Sequence, residues 1–237
     1  MLRQNRVEID MDAIRNNYRI LRDQVPADVE VMPVIKANAY GHGMLETAHA
    51  LAGMGASHFA VALPEEGIEL RLAGVEGEVL VLGAAMPRAA ADCVRYGLTQ
   101  TVFTPEMVAA LDREAAAQRR ESLVHIKLDT GMGRIGFRGD SPAECAKALL
   151  PLFDLEKLSI EGIYTHFAVA DSPEADDVAY TQAQEDSIVA VYDELAKLGH
   201  PLKHLHFMNS AATVTRPNPR ATLARVGIIM YGLEPNY

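Results

Sequence analysis

Residues Val31–Gly43 read VMPVIKANAYGHG: an apolar run closes abruptly on Lys36, and a polar loop bracketed by Gly41 and Gly43 follows. The run reads as a buried strand, and the stretch at 44–53 beyond the loop reads as a helix. The same alternation fills the chain. Strands are expected at 29–37, 58–63, 78–83, 99–103, 122–129, 159–167, 202–209 and 223–230. Helices are expected at 44–53, 65–73, 88–96, 105–119, 142–150 and 174–199. Parallel strands need crossover connections, so eight strands separated by helices predict a parallel sheet. Eight such units in 237 residues favour an α/β fold closed as a (β/α)8 TIM barrel over an open doubly wound sheet, with the first and eighth strands facing each other. A further helix, capped by Asp10 and apolar along Ile14, Tyr18, Leu21 and Val25, is placed to cover the eighth barrel position. The barrel domain is read as 11–237. Residues 1–10, strand-like at RVEID (6–10), stand before it without a partner inside it and are read as pairing with a further, C-terminal domain.

A composition 49% hydrophobic and 23% charged suits one large domain. The net charge of −10 argues against a nucleic-acid partner or an anionic membrane surface, yet leaves room for a small anionic ligand in a local pocket. No run is long enough to cross a membrane, and the N-terminus lacks the apolar core of a secretory signal. Cys93 and Cys145 read as thiols of a reducing compartment, so a cytoplasmic setting is expected. His42 and His49 flank a loop–helix junction, and His204 and His206 share a strand face. Neither pair has an evident third ligand, so no metal is expected.

Active sites of such barrels lie at the carboxyl ends of the strands. There the sequence places Lys36, Tyr40, Asp129, Arg134, His166, Asn209, Ser210, Arg225 and Gly227. One lysine at a strand end is ordinarily a solvated group, and one strand histidine a core residue. Their joint arrival at one rim is what marks a site. The VMPVI run behind Lys36 desolvates its stem, which penalises the ammonium form. A neutral amine attacks an aldehyde to form a Schiff base. The amides of Gly227 and Ile228 in ARVGI, with Ser210 after the seventh strand, form a phosphate cradle where this architecture commonly has one. An amine for an aldehyde beside a cradle for a phosphate points to pyridoxal 5'-phosphate, PLP.

The motifs VIKANAYGHG, KLDTGMGRIGF, YTHFAVAD, NSAAT and RVGIIMYGL then make a resemblance plain. The sequence is similar to the N-terminal domain of bacterial alanine racemases, barrel-type PLP enzymes, over nearly its whole length. The resemblance implies that Lys36 joins PLP and acts as one catalytic base. It implies that Tyr40, Ser210, Gly227 and Ile228 contact the phosphate, with Asn209 in the same cofactor-binding set. Arg225 would face the pyridine nitrogen, His166 would pack on the ring and help hold Arg225, and Arg134 would reach the substrate carboxylate side. A guanidinium stays protonated and donates, so the ring nitrogen would remain unprotonated and the ring a weaker electron sink.

In SLVHIKLD (122–129), Leu123, His125, Lys127 and Asp129 share one face, and Val124, Ile126 and Leu128 the other. Lys127 should therefore point into the lumen near Arg134. Either a carboxylate such as Asp129 neutralises it, or, as the resemblance implies, carbamylation turns it into an anion that orients Arg134. The complete family enzyme is a homodimer that interconverts L- and D-alanine for the cell wall, its second base a tyrosine of the partner's C-terminal domain. The family pattern continues past MYGLEP into that domain, so this chain reads as an excised barrel with weak or no turnover. The alternative is a PLP carrier module or assembly unit without catalysis.

Overall fold

The computed structural model describes residues 6–234. All eight expected strands are present: β1 (Glu30–Pro33), β2 (His58–Val61), β3 (Glu78–Val81), β4 (Thr99–Val102), β5 (Ser122–Lys127), β6 (Leu158–Tyr164), β7 (His204–His206) and β8 (Leu223–Val226). Strands β2 to β7 pair in chain order, and β1 pairs with β8, every pairing parallel. Backbone hydrogen bonds join the two sheets. Ile35 N–H donates to Ala60 O at 2.8 Å on one side, and Thr222 N–H to Leu205 O at 2.8 Å on the other. The barrel is closed. Closure also corrects one expectation: β8 lies beside β1, with Arg225 in register with Met32, and not across the lumen from it.

Alternation along the strands sorts side chains into two populations. Phe59, Val61, Val79, Val81, Val124 and Ile126 pack outward with the helices in one apolar shell. Met32, Val34, Ala60, Leu80 and Leu223 form a second apolar cluster inside the barrel. The rest of the lumen holds buried polar groups: Thr101, His125, Lys127, His206 and Arg225, with Tyr164. A half-apolar, half-polar lumen stabilises the barrel on one side and leaves chemistry on the other.

The N-terminal helix Met11–Gln24 begins where Asp10 Oδ1 accepts from Asp12 N–H and Ala13 N–H. Its Ile14, Tyr18 and Leu21 are buried, and Asn17 Nδ2 donates to Met230 O at 3.0 Å, seating it over the end of β8. Helices Pro105–Gln118 and Pro142–Phe153 start with Thr104 and Ser141 caps and a proline at the first helical position, which fixes φ at no hydrogen-bond cost. Residues 6–10 form no strand and are exposed; residues 1–5 of that segment lie outside the described residues. The last two strands are shorter than expected, and β7 is followed by an unforeseen helix, Ser210–Thr215.

Candidate active site

The expected strand over 29–37 stops at Pro33. From Ala37 to Tyr40 the backbone turns left-handed, with φ of 51°, 55°, 53° and 54° at four successive non-glycine residues. In this region Cβ crowds the following carbonyl, at a cost of roughly 1–2 kcal/mol per residue. Hydrogen bonds hold the turn against that cost: Ala39 N–H to Ile35 O (2.8 Å), Gly41 N–H to Ala37 O (3.1 Å) and Met44 N–H to Asn38 Oδ1 (2.9 Å). Glu66, on helix Pro64–Leu72, accepts from Ala37 N–H with one oxygen and from Ala62 N–H and Leu63 N–H with the other. Lys36 therefore stands at the head of a braced coil, its Nζ 5.8 Å from the Tyr40 ring centre.

Lys36, Tyr40, Lys127, Arg134, His166, Asn209, Ser210, Arg225, Gly227 and Ile228 all line one cavity of about 550 Å³ at the carboxyl ends of the strands. Asp129 does not. It bonds Arg138 and accepts from Gly131 N–H (3.2 Å) and Gly133 N–H (2.9 Å), bracing the loop that presents Arg134. Among the described residues, four basic side chains line the cavity, two of them the guanidinium groups of Arg134 and Arg225, against one carboxylate, Asp171. That balance suits an anionic ligand.

Burial, and then the charge of Arg134, lowers the Lys36 pKa, with Glu66 opposing. Lys127 is pulled down to about 7, first by burial and then by Arg225. Its Nζ donates to Leu128 O at 2.6 Å, and Asp129, engaged by Arg138, does not pair with it. The guanidinium of Arg225 is buried, donates to Thr165 O (2.8 Å) and meets His206 Nδ1 (2.8 Å) and His166 Nδ1 (3.3 Å). Burial lowers its pKa to about 10, and no carboxylate pairs with it among the described residues. Beyond it the chain of imidazoles continues, His206 Nε2 lying 2.8 Å from His125 Nδ1.

At the far wall Gly227 N–H donates to Ser210 Oγ at 2.9 Å. A Cβ on Gly227 would lie 2.6 Å from the Tyr40 hydroxyl oxygen, so only glycine lets that hydroxyl close over the backbone. Asn209 caps helix Ser210–Thr215, its Oδ1 accepting from Ala212 N–H at 3.0 Å.

Three features were missed. Tyr164 also lines the cavity, stacks on His206 (centroids 4.6 Å apart) and bonds Thr101 Oγ1 at 2.8 Å. Its place two residues before His166, on the same strand face, was the available signal. Glu66 carries no motif. The third omission corrects the view that His204 has no further ligand partners: the fold brings His58 and Glu78 to it, at the opposite end of the barrel.

The alanine racemase of Citrifermentans bemidjiense is 37% identical over 232 residues, covering 97% of this chain and 60% of that protein. The alanine racemase of Carboxydothermus hydrogenoformans is 38% identical over 229 residues, again 97% and 60%. Among solved structures, alanine racemase of Clostridium difficile in complex with cycloserine superposes with a TM-score of 0.90 at 34% identity, over 96% of this chain and 61% of that one. Alanine racemase from Bacillus anthracis with bound L-Ala-P also gives 0.90, at 35% identity, over 100% and 60%. The chain thus spans about 60% of the length of the relatives it matches. Residues 9–235 match the family described as alanine racemase, N-terminal domain, and the chain belongs to that family.

Proposed function

We propose that this chain is the PLP-holding barrel of a cytoplasmic enzyme that interconverts L- and D-alanine, acting as a homodimer in its complete form. The observation that carries the reading is Lys36, an amine with a lowered pKa at the head of a braced turn, facing a glycine-floored cradle across a cation-rich cavity. Two further features suit the cofactor. Glycine at 227 leaves room for the Tyr40 hydroxyl beside the Ser210 hydroxyl, two groups able to donate to a phosphate. Arg225 is a buried cation without an anionic partner among the described residues, ready to donate to a ring nitrogen.

When bound, PLP supplies an electron sink that acidifies the hydrogen on the amino-bearing carbon of its substrate. The protein supplies the rest. Lys36 Nζ, more readily neutral than an ordinary lysine, holds the cofactor and takes or returns a proton on one face. Tyr40, Ser210, Asn209, Gly227 and Ile228 hold the phosphate end, and His166 flanks the ring. Arg225 keeps a donor, never an acceptor, at the ring nitrogen, which weakens the sink. Arg134 faces the alanine carboxylate. Lys127, neutral above about pH 7, adds carbon dioxide through its nitrogen and loses a proton, and the resulting carbamate orients Arg134. Inversion needs a base on each face, so the second is assigned to the partner subunit's C-terminal domain.

Borohydride reduction of the PLP-loaded chain, followed by peptide mapping, tests the reading. Label on the peptide containing Lys36 is expected. Label confined to other lysines, with cofactor binding verified, overturns it.

A further inference from the structure

At the amino-terminal mouth of the barrel, away from the cavity, His58, Glu78 and His204 are the first residues of β2, β3 and β7. Their ligand atoms all lie within 4.8 Å of one another, and His58 Nε2 is 3.7 Å from Glu78 Oε2. Tetrahedral coordination with bonds of roughly 2.0–2.2 Å places ligand atoms roughly 3.3–3.5 Å apart, so a small inward movement closes the set on an ion.

Two independent observations point to a ligand. His204 is 4% exposed, and its Nε2 has no hydrogen-bond partner among the described residues, while Glu78 Oε1 lies 3.3 Å from His125 Nε2. Buried polar atoms are almost always satisfied, so the orphaned His204 Nε2 in this cluster calls for a missing partner. The outer contacts also fix both rings for metal binding. Ser57 Oγ donates to Glu30 at 2.7 Å and lies 2.9 Å from His58 Nδ1, so its oxygen accepts the Nδ1 proton and leaves Nε2 with a lone pair. Thr222 Oγ1 donates to Leu205 O at 3.4 Å and lies 3.3 Å from His204 Nδ1, where it can accept in the same way. Histidine ligands are oriented by this kind of second contact. Gly162 on β6 makes the space: a Cβ would lie 2.8 Å from His204 Cβ and 3.0 Å from His125 Nε2.

We propose that His58 Nε2, His204 Nε2 and the Glu78 carboxylate bind a divalent cation of the zinc type, with water completing the shell. Two imidazoles and one carboxylate form the borderline donor set such ions prefer. The ion ties β2, β3 and β7 together across the lower mouth and is structural, being placed at the opposite end from the cavity.

Chelator-stripped full chain titrated with zinc by calorimetry, and with cobalt(II) by visible absorption, tests this. One ion per chain, a melting temperature that rises with zinc and falls back with chelator, and four-coordinate cobalt bands are expected. His204→Gln and Glu78→Gln should each abolish the one-to-one binding. Glu30→Gln, which loosens only the support of His58, should weaken it about 10- to 100-fold. His49→Ala, an exposed histidine elsewhere, should change nothing. Absence of one-to-one binding by the parent chain overturns the proposal. So does unchanged binding in whichever of the two glutamine variants is folded by circular dichroism. Should neither fold, unchanged affinity in Glu30→Gln overturns it.

Discussion

Ala37 N–H donates to Glu66 Oε1 across 2.6 Å, so a carboxylate on the helix after β2 clamps the left-handed turn after β1. The bond ties the position of Lys36 to a neighbouring βα unit, and explains how four non-glycine residues persist in a disfavoured conformation.

A side chain at Ala37 feels that conformation directly, because its φ is 51° while the residue is exposed. Ala37→Gly should be neutral or stabilise by up to about 1 kcal/mol, relief of crowding outweighing added unfolded-state entropy. Ala37→Val should destabilise by about 1–2 kcal/mol, since β-branching makes positive φ worse. Urea denaturation of both variants decides; equal destabilisation would contradict a left-handed turn.

Lys36 titrates below its ordinary 10.5, and the charge of Arg134 is one reason. The rate of cofactor capture should rise with pH through a midpoint lower than that of free lysine. Arg134→Ala removes a neighbouring cation, so the midpoint should move up. A midpoint that stays still or moves down would show that Arg134 does not act on Lys36.

Lys127 ionises at about 7 when folded. Between there and its ordinary 10.5 the unfolded chain carries the proton and the folded chain does not. Stability should therefore rise with pH across that window, by at most about 1.4 kcal/mol per pH unit from this group. Below pH 7 both states are protonated and the full penalty of the buried charge is present. Lys127→Met should flatten the rise in buffer free of carbon dioxide. In bicarbonate enriched in carbon-13, the parent chain should show a carbamate resonance that Lys127→Met lacks.

Gly227→Ala pushes a methyl against the Tyr40 hydroxyl. We expect lower stability and at least tenfold weaker PLP binding. Adding Tyr40→Phe removes the obstructing oxygen, leaving the ring carbon at 3.3 Å as nearest neighbour. Melting temperature should recover while PLP affinity does not, because the hydroxyl proposed to donate to the phosphate is gone. Recovery of both would place the phosphate elsewhere.

What could be read from the sequence was whatever one strand carries by itself. Period-two alternation located β5 and aimed Lys127 inward, and polar residues following apolar runs collected the rim. The turn at 37–40 was illegible because Ala37, Asn38, Ala39 and Tyr40 include no glycine, the usual mark of positive φ. Its brace, Glu66, looks like any first-turn acid. His58, Glu78 and His204 come from three distant strands and meet only when β2, β3 and β7 bring their amino ends to one mouth.

The imidazole column has a direction. A row of histidines is ordinarily a proton wire, each ring accepting at one nitrogen and releasing at the other. Here Arg225 sits at one end and can only donate. His206 must then accept at Nδ1 and donate from Nε2 to His125 Nδ1, which leaves the His125 proton on Nε2, 3.3 Å from Glu78 Oε1. Every proton in the row already points from the upper mouth to the lower. A hop along it would require the guanidinium to surrender a proton or both rings to turn over inside a packed lumen. The column acts as a rectified insulator between the upper and lower mouths of the barrel.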